Sequence, residues 1–254
     1  MIPRVDVLGV GVSAVNLDTA AAEIQRWIDD AEQHYVCVSG VHGVMESQRD
    51  SALRDIHNES GLTTADGMPL VWSARFAGAR AASRVYGPDL MLKMAEQAVR
   101  NATRWYFYGG KEGVAQKLAE RLTERYPGLL VVGHHTPPFR DLTQSEDEAV
   151  IAEINDARPD IVWVGLSTPK QERWMAAHVG RLDAPVLVGV GAAFDIHAGT
   201  LRQAPRWMQR SGMEWAFRLV MEPRRLWRRY LRNNPAFVLG IVRRPPRLIS
   251  SSRD

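Results

Sequence analysis

Cysteine is nearly absent: the 254-residue chain carries one, Cys37. A lone thiol excludes an intrachain disulfide framework and a cysteine-rich zinc site, and it fits a reducing compartment, so the cytoplasm is the expected address. Long apolar runs are missing too. The longest, such as Pro185 to Phe194 (PVLVGVGAAF), fall well short of the roughly 20 residues needed to cross a bilayer, and no transmembrane helix is expected. The start, MIPRVDVLGV, lacks the basic region, long apolar stretch and small-residue cleavage site of a secretory signal, and reads as a first strand. Lysine is scarce, four against 28 arginines, a ratio that fits a G+C-rich genome and carries no functional weight.

Several motifs are also lacking. The seven histidines fall in no metal pattern: His134 and His135 are adjacent, and neither H-E-x-x-H nor a Cys/His pair occurs. There is no G-x-S-x-G elbow and no G-x-x-x-x-G-K-[ST] loop. Glu146-Asp147-Glu148 falls in an expected first helical turn, where it complements the helix dipole. A metal-dependent transferase with a D-x-D site is thus disfavoured, and the expectation is no metal and no cofactor.

What is present is a chain with 45% hydrophobic residues, enough for a substantial core. Apolar runs (VDVLGV, YVCVSG, WYFYGG, LLVVGH, DIVWVGL, PVLVGVG) alternate with helical stretches such as LDTAAAEIQRWIDDAEQ, capped by Asp18, and EGVAQKLAERLTERY. This pattern predicts an α/β, Rossmann-like body with a mostly parallel sheet and helices on both faces. Charge divides the chain. Residues 202–254 hold 13 Arg against three acids, a balance of +10 that leaves −7 for residues 1–201 of the overall +3. The expected organisation is a catalytic body over 1–201 and a basic, amphipathic helical appendage over 202–254 that meets an anionic partner.

Ligands of open parallel sheets bind at the carboxyl ends of strands, so the residues following each strand are the candidates. They are Ser39 and His42; Gly109 and Gly110; Lys170 and Gln171; and Gly191 and Asp195. Small and polar turns leading into helices suit a phosphate, hence a nucleotide or sugar nucleotide; tight turns and a favourable Pro169 at a helix start explain the same residues structurally. GVGVSA (9–14) matches the dinucleotide fingerprint G-x-G-x-x-A but lacks both the immediate helix and the ribose-binding acid of that motif. Asp66, in TTADGMPLVW, is open to two readings, helix N-cap or positioned carboxylate.

Six blocks in order, TADGMPLVW, RVYGPDL, FYGGKEGVA, PDIVWVGLSTPKQERWM, GVGAAFDIHAG and RQAPRWMQRSGMEWAFRLVMEPRRLWRRY, resemble the WecG/TagA/CpsF bacterial glycosyltransferases, glycosyltransferase family 26. The resemblance runs from about Val5 to about Phe237. It implies a metal-independent, inverting hexosyltransferase moving a sugar from a UDP-sugar to a polyprenyl-diphosphate-linked sugar. The enzyme would be peripheral on the inner face of the cytoplasmic membrane, and its product would feed teichoic acid, enterobacterial common antigen, capsule or exopolysaccharide. By the same resemblance Asp66 is the general base, Arg84 and Gln171 contact donor or acceptor, and Asp195 helps bind the nucleotide. Arg218, Arg225 and Arg228 match arginines that look like clamps on diphosphate. The expected partners are the UDP-sugar, the lipid-linked sugar and an anionic membrane surface, with no nucleic acid; a homo-oligomer is compatible with this.

One departure stands out. Where family members often carry Thr and Asn after the second strand, this chain has Val38 and Gly40. The donor therefore stays open among N-acetylmannosamine, another hexose and a uronic acid, and Ser39 or His42 is left to supply polar contact. The rival readings are an NAD-type oxidoreductase, opposed by the missing ribose acid, and a nucleic-acid-binding module on the basic tail, opposed by the acidic body.

Overall fold

Residues 2–249 are described in a computed structural model of the chain. In order they form β1 (Arg4–Val7), β2 (Val10–Ser13), α1 (Leu17–Asp29), β3 (His34–Ser39), α2 (Val41–Ser47), α3 (Ser51–Glu59), β4 (Leu62–Ala65), α4 (Met68–Phe76) and α5 (Gly87–Asn101). Then come β5 (Arg104–Gly109), α6 (Val114–Arg125), β6 (Leu130–His135), α7 (Gln144–Ala157), β7 (Ile161–Gly165), α8 (Lys170–His178), β8 (Val186–Gly189) and α9 (Ala193–His197). The end of the chain contains α10 (Arg206–Arg210), α11 (Glu214–Met221), α12 (Pro223–Arg243) and β9 (Arg247–Ile249).

Two sheets result, one ordered β2-β1-β9 and one ordered β4-β3-β8-β7-β5-β6. The larger matches the expected α/β class: β3–β8, β8–β7, β7–β5 and β5–β6 all pair in parallel. Five of the six apolar runs read as strands lie in it, and the first does not. Leu8 and Gly9 both adopt positive φ, 55° and 86°, which a two-residue hairpin turn of matching twist requires. The chain reverses there, and β2 pairs antiparallel with β1. That hairpin occupies the GVGVSA stretch, so no helix follows the first strand.

The chain divides into two compact units, residues 2–17, 38–86 and 202–249 in one, residues 18–37 and 87–201 in the other. In the first unit, Val5, Val7, Val10 and Val12 of the hairpin share a buried cluster with Val44 of α2, Leu70 and Val71 of α4, and Phe237 of α12. Pro223 opens α12, where its fixed φ suits the first turn and its missing N–H leaves no bond unmade. Leu226, Asn233 and Phe237 form the buried face of that helix at i, i+7 and i+11.

In the second unit the central strands are buried along nearly their whole length, as a sheet covered on both faces demands. Helix α1 buries Ala20, Ala21, Ile24 and Trp27, one face at helical spacing, while Asp18 lies within its first turn and is not the residue before it. A capping box between Thr143 and Glu146 starts α7. Gly109 pairs with Gly165, and Val164 with Gly189, so the carboxyl ends of β5, β7 and β8 are level. Among the described residues, no helix is long and apolar enough to cross a membrane.

Phe237 ties α12 into the first unit's core at 5% exposure. Phe237→Ala should cost about 3–5 kcal/mol, read as a lower urea midpoint; an unchanged midpoint would show that α12 contributes nothing to that core.

Candidate active site

Strand β4 ends directly before Asp66. The Asp66 N–H donates to Ser39 O at the end of β3 (2.9 Å), and the Val85 N–H donates to Ala65 O (2.9 Å). The N-cap of α4 is Gly67, followed by Pro69 in the first turn. The cap role weighed for Asp66 thus falls to its neighbour, because the helix starts one residue later than the sequence suggests. Across from the carboxylate lies Gly40: a methyl group there would stand 3.8 Å from Asp66 Oδ2.

Arg84 binds around this residue through the backbone. Its Nε donates to the Asp66 carbonyl and its Nη2 to the Glu214 carboxylate, while Nη1 reaches Gln209 Oε1 at 3.3 Å. The guanidinium lies over the Tyr86 ring, 3.9 Å from its centroid. Burial raises the Tyr86 pKa, and Glu214 and Asp66 add to the effect against Arg218 and Arg84, so its hydroxyl stays protonated. Burial opposes the charge on Arg218, but Tyr230, Tyr86, Asp66 and Glu214 outweigh it and its pKa is raised. Asp66, Arg84 and Arg218 therefore share one electrostatic cluster, in which two cations face two carboxylates.

His42 and the remaining tail arginines have neighbours of their own. His42 Nδ1 lies 3.1 Å from Asn233 Nδ2 and 3.6 Å from Glu46 Oε1. Burial, then Arg229, lowers its pKa to about 4, against the pull of Glu46. It is neutral near pH 7 and offers a hydrogen bond, not a charge. Arg225 is exposed and pairs with Glu222 at 2.7 Å; Arg228 is exposed beside the Trp227 ring. Ser39 is buried, and its Oγ has no hydrogen-bond partner among the described residues.

The second unit holds the other candidates. Gly109 and Gly110 have φ of 116° and 79°. A side chain on Gly109 would fall 2.8 Å from the Gly165 backbone, and the Gly110 N–H donates to Gly165 O at 3.0 Å. The tight turn accounts for both glycines. Lys170 is the exposed first residue of α8, its Nζ 5.3 Å from the Phe139 ring centroid; Pro169 precedes the helix as its N-cap and not as its first residue. Gln171 is buried at 2% exposure and lies against Gly189 and Gly191. Asp195 closes a turn: its Oδ1 accepts from Thr200 Oγ1 at 3.1 Å, and its carbonyl takes the N–H groups of Thr200 and Leu201.

Sequence reading missed Glu214, Tyr86, Tyr230, Arg229 and Asn233. One signal was available in each half of the tail. Glu214 is a rare acid among arginines, and such a residue needs a cationic partner when buried. In α12, Arg229, Tyr230 and Asn233 lie at helical spacing from the buried Leu226, on a face that excludes Arg225 and Arg228.

The model of the family described as "Glycosyl transferase WecG/TagA/CpsF family" matches residues 5–250. The chain is 27% identical over 236 residues to an N-acetylglucosaminyldiphosphoundecaprenol N-acetyl-beta-D-mannosaminyltransferase of Bacillus subtilis (strain 168), covering 90% of each protein. It is 26% identical over 242 residues to the protein of the same name from Staphylococcus aureus (strain MW2), covering 94% of this chain and 92% of that one.

His42 gives a pH signature. The unfolded imidazole takes its proton near pH 6.5 and the folded one only near 4, so between these values the unfolded chain binds more protons and stability falls with falling pH. The loss from this group should be on the order of 1–3 kcal/mol, complete by about pH 4 and absent above pH 7. Denaturation of His42→Gln across that range should show a flatter slope; a slope equal to wild type would refute the assignment.

Proposed function

The chain belongs to the WecG/TagA/CpsF family and is a hexosyltransferase, and from that premise we propose that it transfers a sugar, with inversion, from a UDP-sugar to a polyprenyl-diphosphate-linked sugar. Asp66 is the general base. Its carboxylate takes the proton of the acceptor hydroxyl while that oxygen bonds to the anomeric carbon, on the face opposite the nucleotide. The bond from that carbon to the diphosphate oxygen breaks with its electron pair, and UDP leaves as an anion. Gly109, Gly110, Lys170, Gln171, Gly191 and Asp195 serve the donor.

The observation that carries this reading is the setting of Asp66. It stands at a strand's carboxyl end, its backbone N–H and C=O both held, with a side-chain-free Gly40 opposite and two arginines in the same cluster. A charged Arg218 suits the negative charge that develops as diphosphate departs. The names of the two relatives describe an N-acetylmannosaminyl group placed on an undecaprenyl-diphosphate-linked N-acetylglucosamine, and the same pair heads the substrates to be tried, with cell-wall or surface polysaccharide as the destination. Because Gly40 borders Asp66, the donor panel includes other hexoses and a uronic acid.

We further propose that the protein works on the inner face of the cytoplasmic membrane. Exposed Trp207, Trp215, Trp227, Leu231 and Val242 accompany the tail arginines, the composition of a surface that enters an anionic interface at about 1 kcal/mol per basic residue.

UDP release should depend on the lipid-linked acceptor, survive EDTA, and fall by about 10²–10⁴-fold in Asp66→Asn. Full activity in the mutant would remove Asp66 as base, and abolition by EDTA would remove the metal-free mechanism. The chain should float with vesicles containing anionic lipid, less so as salt rises, and not with neutral ones; salt-sensitive binding to nucleic acid instead would favour the rival use of the tail.

A further inference from the structure

Glu172, one residue beyond the expected Gln171, sits on the first turn of α8 with no exposed surface. Its Oε1 accepts from Thr168 Oγ1 at 2.7 Å and from Gln171 Nε2 at 3.2 Å. Its Oε2 has no hydrogen-bond partner among the described residues, and neither does Gln171 Oε1. No cation among the described residues pairs with this carboxylate. Two buried acceptors left bare side by side in sequence are costly, because each loses its water without a replacement donor.

The glycines beside Gln171 mark where the two ends of its amide lie. A methyl group on Gly189, the last residue of β8, would stand 3.2 Å from Gln171 Nε2; one on Gly191, beyond the strand end, would stand 3.3 Å from Gln171 Oε1 and 3.9 Å from Ser167 Cα. The amide therefore runs along the end of β8 with its oxygen directed past the sheet, toward the edge where open parallel sheets take ligands. Ser167 and Gly191, which flank this point, both have positive φ, 67° and 51°. Gly191 leaves open the space that any side chain would fill.

We propose that Gln171 and Glu172 form an acceptor pair for hydroxyl groups of the donor's neutral part, its ribose or the transferred sugar, and that Glu172 is a specificity-determining residue of the site. This rests on the UDP-sugar reading above. The chemistry selects the ligand. Both bare atoms are oxygens that can accept, so the partner must bring O–H or N–H groups; hydroxyls are the most numerous donors on a ribose or a hexose, and an acidic side chain does not suit the diphosphate that a helix start would otherwise attract. A site built to accept a hydroxyl rejects the analogue that lacks it, since the acceptor is then left unpaired.

The test is calorimetric titration of the full chain, wild type and Glu172→Gln, with UDP, 2′-deoxy-UDP, UDP-N-acetylmannosamine and deoxy analogues of its sugar. Wild type should bind at least one deoxy ligand about tenfold more weakly than its parent. Glu172→Gln should bind the parent about tenfold more weakly, lose that discrimination, and melt no lower than wild type. A penalty already present with UDP assigns the ribose; one confined to the UDP-sugar assigns the transferred sugar. Deoxy ligands bound as tightly as their parents by wild type would overturn the proposal, whatever the variant does, and so would equal affinities in wild type and variant. If wild type binds no UDP compound, the donor reading itself fails and this inference with it.

Discussion

The guanidinium of Arg84 organises the first unit's polar cluster. It donates to the carbonyl of Asp66, to the carboxylate of Glu214 and to the amide of Gln209, and its flat face rests on Tyr86. A planar fork with five donors can join a strand end to helices α10 and α11 in this way, and a lysine could not. With the Asp66 N–H fixed on Ser39 O, both backbone groups of Asp66 are held. The backbone from which its carboxylate leaves the chain is thereby held on both sides.

Charge balance follows from the same arrangement. Arg84 and Arg218 accompany Asp66 and Glu214, the Arg218 pKa is raised in their company, and Tyr86 keeps its hydroxyl hydrogen. Nearby, burial lowers the pKa of both His42 and Arg229, each also under the influence of surrounding arginines. The tail's 13 arginines are therefore not one uniform basic surface. Arg84's partner Glu214 and the inner-face Arg229 belong to the folded interior of the unit, while Arg225 and Arg228 face solvent and are available to an anionic partner.

Apolar periodicity made most of the larger sheet legible, because WYFYG, IVWV and VLVG can be little else than strands buried on both faces. β4 escaped notice for the opposite reason. Its Thr63 and Thr64 look like loop residues, yet both are buried, and Thr63 is satisfied by Ser13, Ser60 and the His57 carbonyl, partners remote in sequence or set by a turn. The hairpin of β1 and β2 was hidden because Leu8, a residue rarely found at positive φ, supplies half of its turn. At the site, Asp66 was legible from its block of sequence, but its surroundings were not: the pairing of Arg84 with Glu214, 130 residues away, is a tertiary fact. Arg225 and Arg228 were singled out by resemblance, whereas helical phase puts Arg229 on the inner face.

The central claim is that one carboxylate, Asp66, drives a single displacement at the anomeric carbon. The most direct test is the one-bond carbon–hydrogen coupling at that carbon in the product made from a UDP-α-sugar. The account predicts the β-linkage, because attack opposite the leaving nucleotide inverts the centre. An α-linkage would contradict it, since retention needs either a second displacement or attack from the nucleotide's own face, and neither is a reaction for a lone base.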